Sequence, residues 1–110
     1  MLNDHLGEFE ELMLTMVAIL DQEAYGNAIV KAVQDQLGRS VNLSAVHITL
    51  YRLQDKGLVT SAMGGATANR GGRRKRFFRI THAGRHKLSE LQEQRIKLWN
   101  LLPELKFGIQ

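Results

Sequence analysis

The sequence predicts one α+β domain, mostly helical, in which three helices are followed by a β-hairpin and a C-terminal helix. Apolar residues recur at helical spacing in three segments before Gly57. Two strand-like segments then flank a glycine-rich loop, and leucines at heptad-like spacing follow them. The length of 110 residues is suited to a single domain with a modest core.

The first helix is predicted to begin at Gly7, and the acidic residues of its first turn complement the helix dipole. Its apolar side chains cover nearly the whole circumference: Phe9, Leu12, Met13, Leu14, Met16, Val17, Ala18 and Leu20. Such a helix must be covered on more than one side, and a partner subunit is a natural source of that cover. We therefore expect a homodimer with Leu12 and Met16 in its interface.

The second and third helices are predicted at residues 27–37 and 43–56, each ended by a glycine. The inward residues of the second helix are Ala28, Ile29, Ala32, Val33 and Leu37. The third helix, capped by Asn42 or Ser44, has an apolar seam of Val46, Leu50 and Leu53. The turn at 21–26 is short, which predicts an angled helix pair, and 39–41 forms a connector or an edge strand.

The hairpin is predicted from strands at 58–63 and 73–80, with a loop at 64–72. On the second strand, Phe78 and Ile80 share the face that anchors it in the core, with Arg74 and Arg76 further along that face. Thr81 caps the last helix, which carries Leu88, Leu91, Leu98, Leu102 and Leu105 and which Pro103 ends or kinks. Arg95 interrupts this leucine series, in which Leu91, Leu98 and Leu102 are expected at the dimer interface.

This order of elements is that of a winged helix-turn-helix, with a β-hairpin wing after three helices and a C-terminal dimerisation helix. We expect residues 1–81 to form the winged-helix domain and residues 82–110 the dimerisation helix. The first helix would also contribute to the dimer interface.

Charge is distributed unevenly along the chain, whose formal net charge is +4. Up to Gly38 there are seven acids and the single base Lys31, whereas residues 56–89 contain nine Lys and Arg and no acid. A basic zone of this density suits a polyanionic partner, although many charge runs are only solvated surface. Double-stranded DNA is the partner that best matches a basic hairpin behind a helix-turn-helix.

Two segments carry the residues expected to contact DNA. The outer side of the third helix presents Ser44, Ala45, His47, Ile48, Tyr51 and Arg52, which are small, hydrogen-bonding or able to touch a thymine methyl. The wing presents four consecutive cations: Arg73, Arg74, Lys75 and Arg76. Tyr25 and Asn27 lie at the start of the second helix, whose N-terminus favours a phosphate.

Four stretches of the sequence resemble the PadR family of bacterial transcriptional regulators: LGEFEELML, AYGNAI, AVHITLYRLQDKGLV and GGRRKRFFRITHAGR. They occur in the order and spacing of the family over nearly the whole chain. The resemblance implies a winged-helix homodimer that usually represses transcription at an operator with two-fold symmetry, often released by a small ligand. One position departs from the family, since His47 stands where a tyrosine is common.

Trp99 is the second feature that the resemblance singles out. Some similar members of the family bind flat hydrophobic compounds between aromatic residues at the dimer centre, and the single C-terminal helix resembles the smaller subgroup. The resemblance therefore implies a small hydrophobic effector at Trp99. The interpretation that we favour from the residue itself is that Trp99 only packs the dimer core or the first helix.

Other classes of function find less support in the sequence. The spacing of His82, His86 and Glu90 suits metal ligands on a helix, but side chains beside a wing are usually solvated, and we expect no metal, cofactor or catalytic activity. The apolar stretch at 12–20 is too short to span a membrane and the start lacks a basic leader, so we expect a cytoplasmic protein without a membrane partner. The rival functions are a winged-helix module that binds an acidic protein and an RNA-binding domain.

Overall fold

The computed structural model of the chain describes residues 5–64 and 74–103. Its elements are α1 (Glu8–Leu20), a 3₁₀ turn (Asp21–Glu23), α2 (Gly26–Leu37), α3 (Leu43–Asp55), β1 (Val59–Gly64), β2 (Lys75–Ile80) and α4 (His82–Trp99). β1 and β2 form an antiparallel sheet that begins with Val59 opposite Ile80 and ends with Gly64 opposite Lys75. This hairpin, called the wing below, follows three helices, which confirms the predicted fold class.

The centre of the core is α1, whose side chains are buried on more than one side. Met13, Leu14 and Val17 are fully buried, and α1 contacts α2, α3, β2 and α4 of the same chain. Met16 is only 3% exposed and belongs to the same core cluster. The cover that the sequence analysis assigned to a partner subunit therefore comes largely from the protomer itself.

The helix-turn-helix consists of α2 and α3, and its ends largely follow the local sequence signals. The Oδ1 atom of Asn42 accepts from the backbone N–H of Ala45 at 3.1 Å, so Asn42 is the cap of α3. The seam of Val46, Leu50 and Leu53 is fully buried, as predicted.

One detail of this region differs from the predictions, and of the two alternatives for residues 39–41 the structure shows the connector. Leu37 is 59% exposed rather than buried, because it lies at the last position of α2, one turn beyond Val33. Residues 39–41 form no strand; instead, Arg39 leaves this connector to bind Glu8 of α1.

The base of the wing is joined tightly to α4. Phe78 is fully buried and Ile80 packs against the core, as their shared face predicted. The Thr81 hydroxyl accepts from the N–H of Gly84 at 3.0 Å and donates to the carbonyl of Gly57 at 2.8 Å. A Cβ on Gly84 would collide with the carbonyl oxygen of Leu58, so this glycine allows α4 to approach the wing closely.

The large apolar side chains of α4 that pack against the core of the protomer are the partly buried Leu88 and Leu91. Every side chain from Gln92 to Pro103 is exposed in the protomer. The helix ends at Trp99, four residues before Pro103. The predicted role of Leu105 lies outside the described residues.

Candidate nucleic-acid interface

The first turn of α2, the outer side of α3 and the outer end of β2 enclose a cleft of about 370 Å³. Its walls are Tyr25, Gly26, Asn27, His47, Tyr51, Arg74, Lys75 and Arg76. Seven of the twelve residues that the sequence analysis proposed for DNA contact line this cleft. The helix-turn-helix and the wing thus contribute to one site, rather than to two separate surfaces.

Tyr25 joins the wing to the start of α2. It forms an isolated antiparallel bridge with Phe77, and the two rings meet edge to face with centroids 5.3 Å apart. The ammonium nitrogen of Lys75 lies 4.1 Å from the centroid of the Tyr25 ring, on the cleft side. Since a cation is attracted to the ring face, Tyr25 keeps this charge beside the N-terminus of α2.

His47 packs against the backbone of Gly26 and is half-buried. A Cβ added to Gly26 would lie 2.5 Å from the Nε2 atom of His47 and 2.9 Å from a methyl of Leu43. Any larger residue at position 26 would therefore displace the imidazole or separate the two helices. Gly26 fixes how far His47 projects from α3.

The opposite wall of the cleft joins the wing to α3. The rings of Tyr51 and Phe78 meet edge to face with centroids 5.7 Å apart. An Nη1 hydrogen of Arg76 is donated to the hydroxyl of Ser61 at 3.0 Å, and that hydroxyl donates to the amide oxygen of Gln54 at 2.5 Å. Arg76 is consequently tied to both β1 and α3.

The remaining predicted contact residues lie outside the cleft walls. Ser44 and Ile48 are exposed on α3, Ile48 at 55%, beside the cleft rather than within it. Ala45 is half-buried. Arg52 is exposed on another side of α3, where its charge acts on Glu10 of α1. Arg73 lies outside the described residues.

Several cations elsewhere in the described chain have carboxylate partners, whereas the described cations of the cleft have none. Arg39, Lys56 and Arg95 bind the three acids of the first turn of α1: Glu8, Glu10 and Glu11, respectively. Among the described residues, Arg74, Lys75 and Arg76 form no ion pair. The acidic N-terminal helix therefore leaves the positive charge of the wing uncompensated.

These pairs shift the pKa values of the acids involved. Hydrogen bonds from Arg39 and Arg95 hold the pKa values of Glu8 and Glu11 below the usual range. For Glu10, partial burial raises the pKa, but hydrogen bonds from Lys56 and the Gly7 amide outweigh it and the net shift is downward. All three acids are thus charged at neutral pH and available to their cations.

A second surface lies on the distal half of α4, where a shallow apolar groove is formed by Gln92, Arg95, Ile96, Leu98, Trp99 and Leu102. Of the residues predicted at the dimer interface, Leu98 and Leu102 are 64% and 37% exposed here. Leu12 and Leu91 pack at the edge of the core, and Met16 lies inside it. Trp99 is exposed and does not pack on the core of its own protomer.

Neither a metal site nor a membrane span is found in the described part of the chain. No three His, Cys, Asp or Glu side chains of residues 5–64 and 74–103 come together as a metal site would require. In the same ranges, no helix is both long and apolar enough to cross a membrane.

The sequence profile of the transcriptional regulator PadR-like family matches residues 15–90. The chain belongs to this family. Members of the family are transcription regulators and not enzymes. A search of curated protein sequences finds no match.

Solved structures of other PadR proteins share the fold of this PadR-like regulator. A PadR family regulator from a hypervirulent Clostridium difficile is 19% identical with a TM-score of 0.74, over 90% of this chain and 98% of the other. A PadR-like transcription factor from Bacteroides fragilis is 18% identical with a TM-score of 0.75, over 88% of both chains. Bacillus subtilis PadR in complex with operator DNA is 20% identical with a TM-score of 0.64, over 76% of this chain and 46% of the other.

Three features of this PadR-like regulator were missed by sequence reasoning. They are the contact of Lys75 with Tyr25, the close approach at Gly26, and the chain of hydrogen bonds from Arg76 to Gln54. A glycine at the first position of a helix signals a close approach without naming the neighbour. Nothing in the sequence connects Gln54 or Ser61 with the wing cations.

Proposed function

We propose that this PadR-like regulator binds double-stranded DNA in a sequence-specific manner, as a homodimer, and represses transcription from an inverted-repeat operator. The single observation that carries the proposal is the cleft shared by α2, α3 and the wing. Its described cations have no acidic partner, and its other walls are hydrogen-bonding or aromatic side chains. That combination suits a polyanion with readable base edges better than it suits a protein partner.

We propose that α3 enters the major groove. An α-helix fits this groove, and its N-terminal residues reach the base edges. Ser44, His47 and Ile48 lie one turn apart or adjacent on the outer side of α3. Ser44 and His47 can hydrogen-bond to bases or phosphates, and Ile48 can touch a thymine methyl, whereas Ala45, Tyr51 and Arg52 flank them.

The wing and the start of α2 would hold the DNA backbone. Arg74 is exposed, and Lys75 is held above Tyr25 next to the N-terminus of α2. A helix N-terminus attracts phosphate, and the side chain of Asn27 lies in the same cleft. We include Arg73 in this set by its place in the basic run and Arg76 by its place in the cleft.

We propose that the distal half of α4 pairs with the same surface of a second copy. Five large apolar residues are exposed there: Ile96, Leu98, Trp99, Leu101 and Leu102. Among the described residues of the groove, the cation is Arg95, whose charge is compensated by Glu11. In this proposal residues 1–81 form the DNA-binding domain and residues 82–110 the dimerisation helix, with Leu91 and Leu12 at the edge of the interface.

We further propose that a small hydrophobic effector binds where two apolar grooves meet and releases the operator. Trp99 is the only tryptophan of the chain, so its fluorescence reports directly on this groove. Addition of 2-naphthol should quench the fluorescence and lower DNA affinity. Quenching in wild type with no change in DNA affinity would argue against an effector role.

A repressor acts where the chromosome is, and we therefore expect the protein in the cytoplasm.

DNA binding is tested by fluorescence anisotropy of a labelled duplex at about 50 and 200 mM salt, where six to ten phosphate contacts predict a loss of about 10³ to 10⁵ in affinity. The matched control is Lys31→Ala, which removes a charge outside the cleft. Salt-independent binding, or binding only to acidic proteins, would contradict the proposal.

A further inference from the structure

The three described wing cations, Arg74, Lys75 and Arg76, differ in how firmly the protein holds them. Arg74 is exposed and makes no hydrogen bond within the described residues, and Lys75 rests on one aromatic ring. Arg76 is half-buried and is tied by hydrogen bonds to two other elements. It is the only one of these three described cations that is fixed by a chain of hydrogen bonds.

The direction of this chain follows from the donors and acceptors available. The guanidinium of Arg76 can only donate, so the Ser61 hydroxyl accepts from it at 3.0 Å. The single hydroxyl hydrogen of Ser61 is then free for the amide oxygen of Gln54, which lies 2.5 Å away. Each group in the series has a complementary partner, which fixes the order Arg76, Ser61, Gln54.

The sheet register explains why the three side chains meet. Ser61 lies opposite Phe78 and Met63 opposite Arg76, so Arg76 reaches diagonally across the sheet to Ser61 on the same face. That face looks toward α3, where Phe78 touches Tyr51 and Ser61 touches Gln54. The wing is therefore attached to α3 beside the cleft.

We propose that Gln54 and Ser61 are positioning residues that hold the Arg76 guanidinium in the cleft for a DNA phosphate at the junction of α3 and the wing. The inference rests on the proposed DNA-binding function. Neither Gln54 nor Ser61 lines the cleft, so they act on DNA only through Arg76. One N–H of the guanidinium is used by Ser61, which leaves the others for phosphate oxygens.

Preorganisation is the physical benefit of this arrangement. A free arginine loses rotamer freedom when it binds, whereas Arg76 has already been restricted by folding. Loss of the Ser61 hydroxyl should leave the charge of Arg76 in place but let the side chain move. We expect Ser61→Ala to weaken DNA binding by about three- to tenfold, the usual range for one hydrogen bond.

A double-mutant cycle tests this inference through the affinity for one duplex at fixed salt. Ser61→Ala should weaken binding in the wild-type background and have no further effect in the Arg76→Ala background. Gln54→Ala should show the same dependence on Arg76. The matched control cycle uses Arg74→Ala, with which Ser61→Ala should be additive.

Two further variants separate positioning from general damage to the fold. Ser61→Thr keeps a hydroxyl on the strand and should restore wild-type affinity, and the urea midpoint of each variant monitors folding. Arg76→Lys keeps the charge but lacks the planar fork, so it should bind more weakly than wild type.

Additive losses from Ser61→Ala and Arg76→Ala, or wild-type affinity in Ser61→Ala, would overturn the inference while the proposed function stands. A wild-type protein that binds no duplex DNA would overturn the proposed function and the inference together.

Discussion

The outer face of α3 and the distal half of α4 both expose large apolar side chains. The two surfaces differ in whether the cations next to them are paired with acids. On α3, Tyr51 lines the cleft together with wing cations that have no acidic partner in the described structure, and Ile48 is exposed beside the cleft. Leu98 on α4 and Leu102 just beyond its end share a groove with Arg95, whose charge is compensated by Glu11. Apolar exposure alone therefore does not identify a partner, and the adjacent charge distinguishes a nucleic-acid surface from a protein surface.

The acidic first turn of α1 produces this difference. Its three carboxylates take up Arg39, Lys56 and Arg95, each from a different part of the chain. None of the three carboxylates pairs with the described wing cations Arg74, Lys75 and Arg76. The described part of the chain thus presents a cleft with unpaired cations and an apolar groove whose cation, Arg95, is paired.

The largest effect on DNA affinity is expected from removing the wing cations. Replacing Arg73, Arg74, Lys75 and Arg76 together by alanine should abolish tight DNA binding, because the phosphate contacts are lost. The dimer should stay folded, which sedimentation and circular dichroism would check. Normal operator affinity in this variant would show that the wing does not bind the DNA backbone.

The second-largest effect, on dimer formation, is expected from adding charge to the apolar groove at the distal half of α4. Leu98→Asp combined with Leu102→Asp should convert a dimer into a monomer at micromolar concentration, measured by sedimentation. Affinity for a two-half-site duplex should then fall by about 10² to 10⁴, because the half-sites are no longer linked. Leu37→Asp is the control, since Leu37 is 59% exposed, close to the 64% of Leu98, but lies at the end of α2. A monomeric wild type would refute this assignment.

A smaller effect is expected from His47, which distinguishes base reading from phosphate binding within the cleft. His47→Ala should change the preferred half-site by about 1 to 3 kcal/mol at one or two base pairs and leave nonspecific binding nearly unchanged. The check is a comparison of duplexes that differ at single half-site positions. If the variant loses affinity equally for every sequence, His47 contacts only phosphate.

The smallest effect concerns the carboxylates that neutralise cations outside the cleft. The pKa values of Glu8, Glu10 and Glu11 lie below 4.5 in the folded chain, so their stabilising contribution is complete above about pH 4.5 and is lost as the pH falls below it. The urea midpoint should therefore decrease as the pH falls from about 4.5 to about 3. Glu11→Gln should show a weaker decrease, and an unchanged pH dependence in that variant would exclude a contribution from the Glu11–Arg95 pair.

Sequence patterns predicted the elements whose causes are local. The cap at Asn42, the cap at Thr81 and the buried seam of α3 all follow from residues within a few positions of one another. Leu37 was predicted wrongly because helical spacing does not reveal where the core ends. Local signals therefore gave the helices and the fold class but not the limits of burial.

The details of the site depend on contacts between distant segments. Glu11 and Arg95 are 84 positions apart, and Arg95 had only interrupted a leucine series in the sequence. Gly26 and Ser61 acquire their roles from the neighbours that folding brings to them. Residue types predicted which segments carry charge. Tertiary structure determines which cations are paired with acids and which remain free to bind a partner.

The central claim is that two copies of α3 and the wing read DNA together. Selection from randomised duplex DNA tests this claim most directly. The account predicts enrichment of an inverted repeat whose half-site centres lie about one helical turn, roughly 34 Å, apart. Enrichment of no sequence, or of a single unrepeated site bound by one copy, would contradict it.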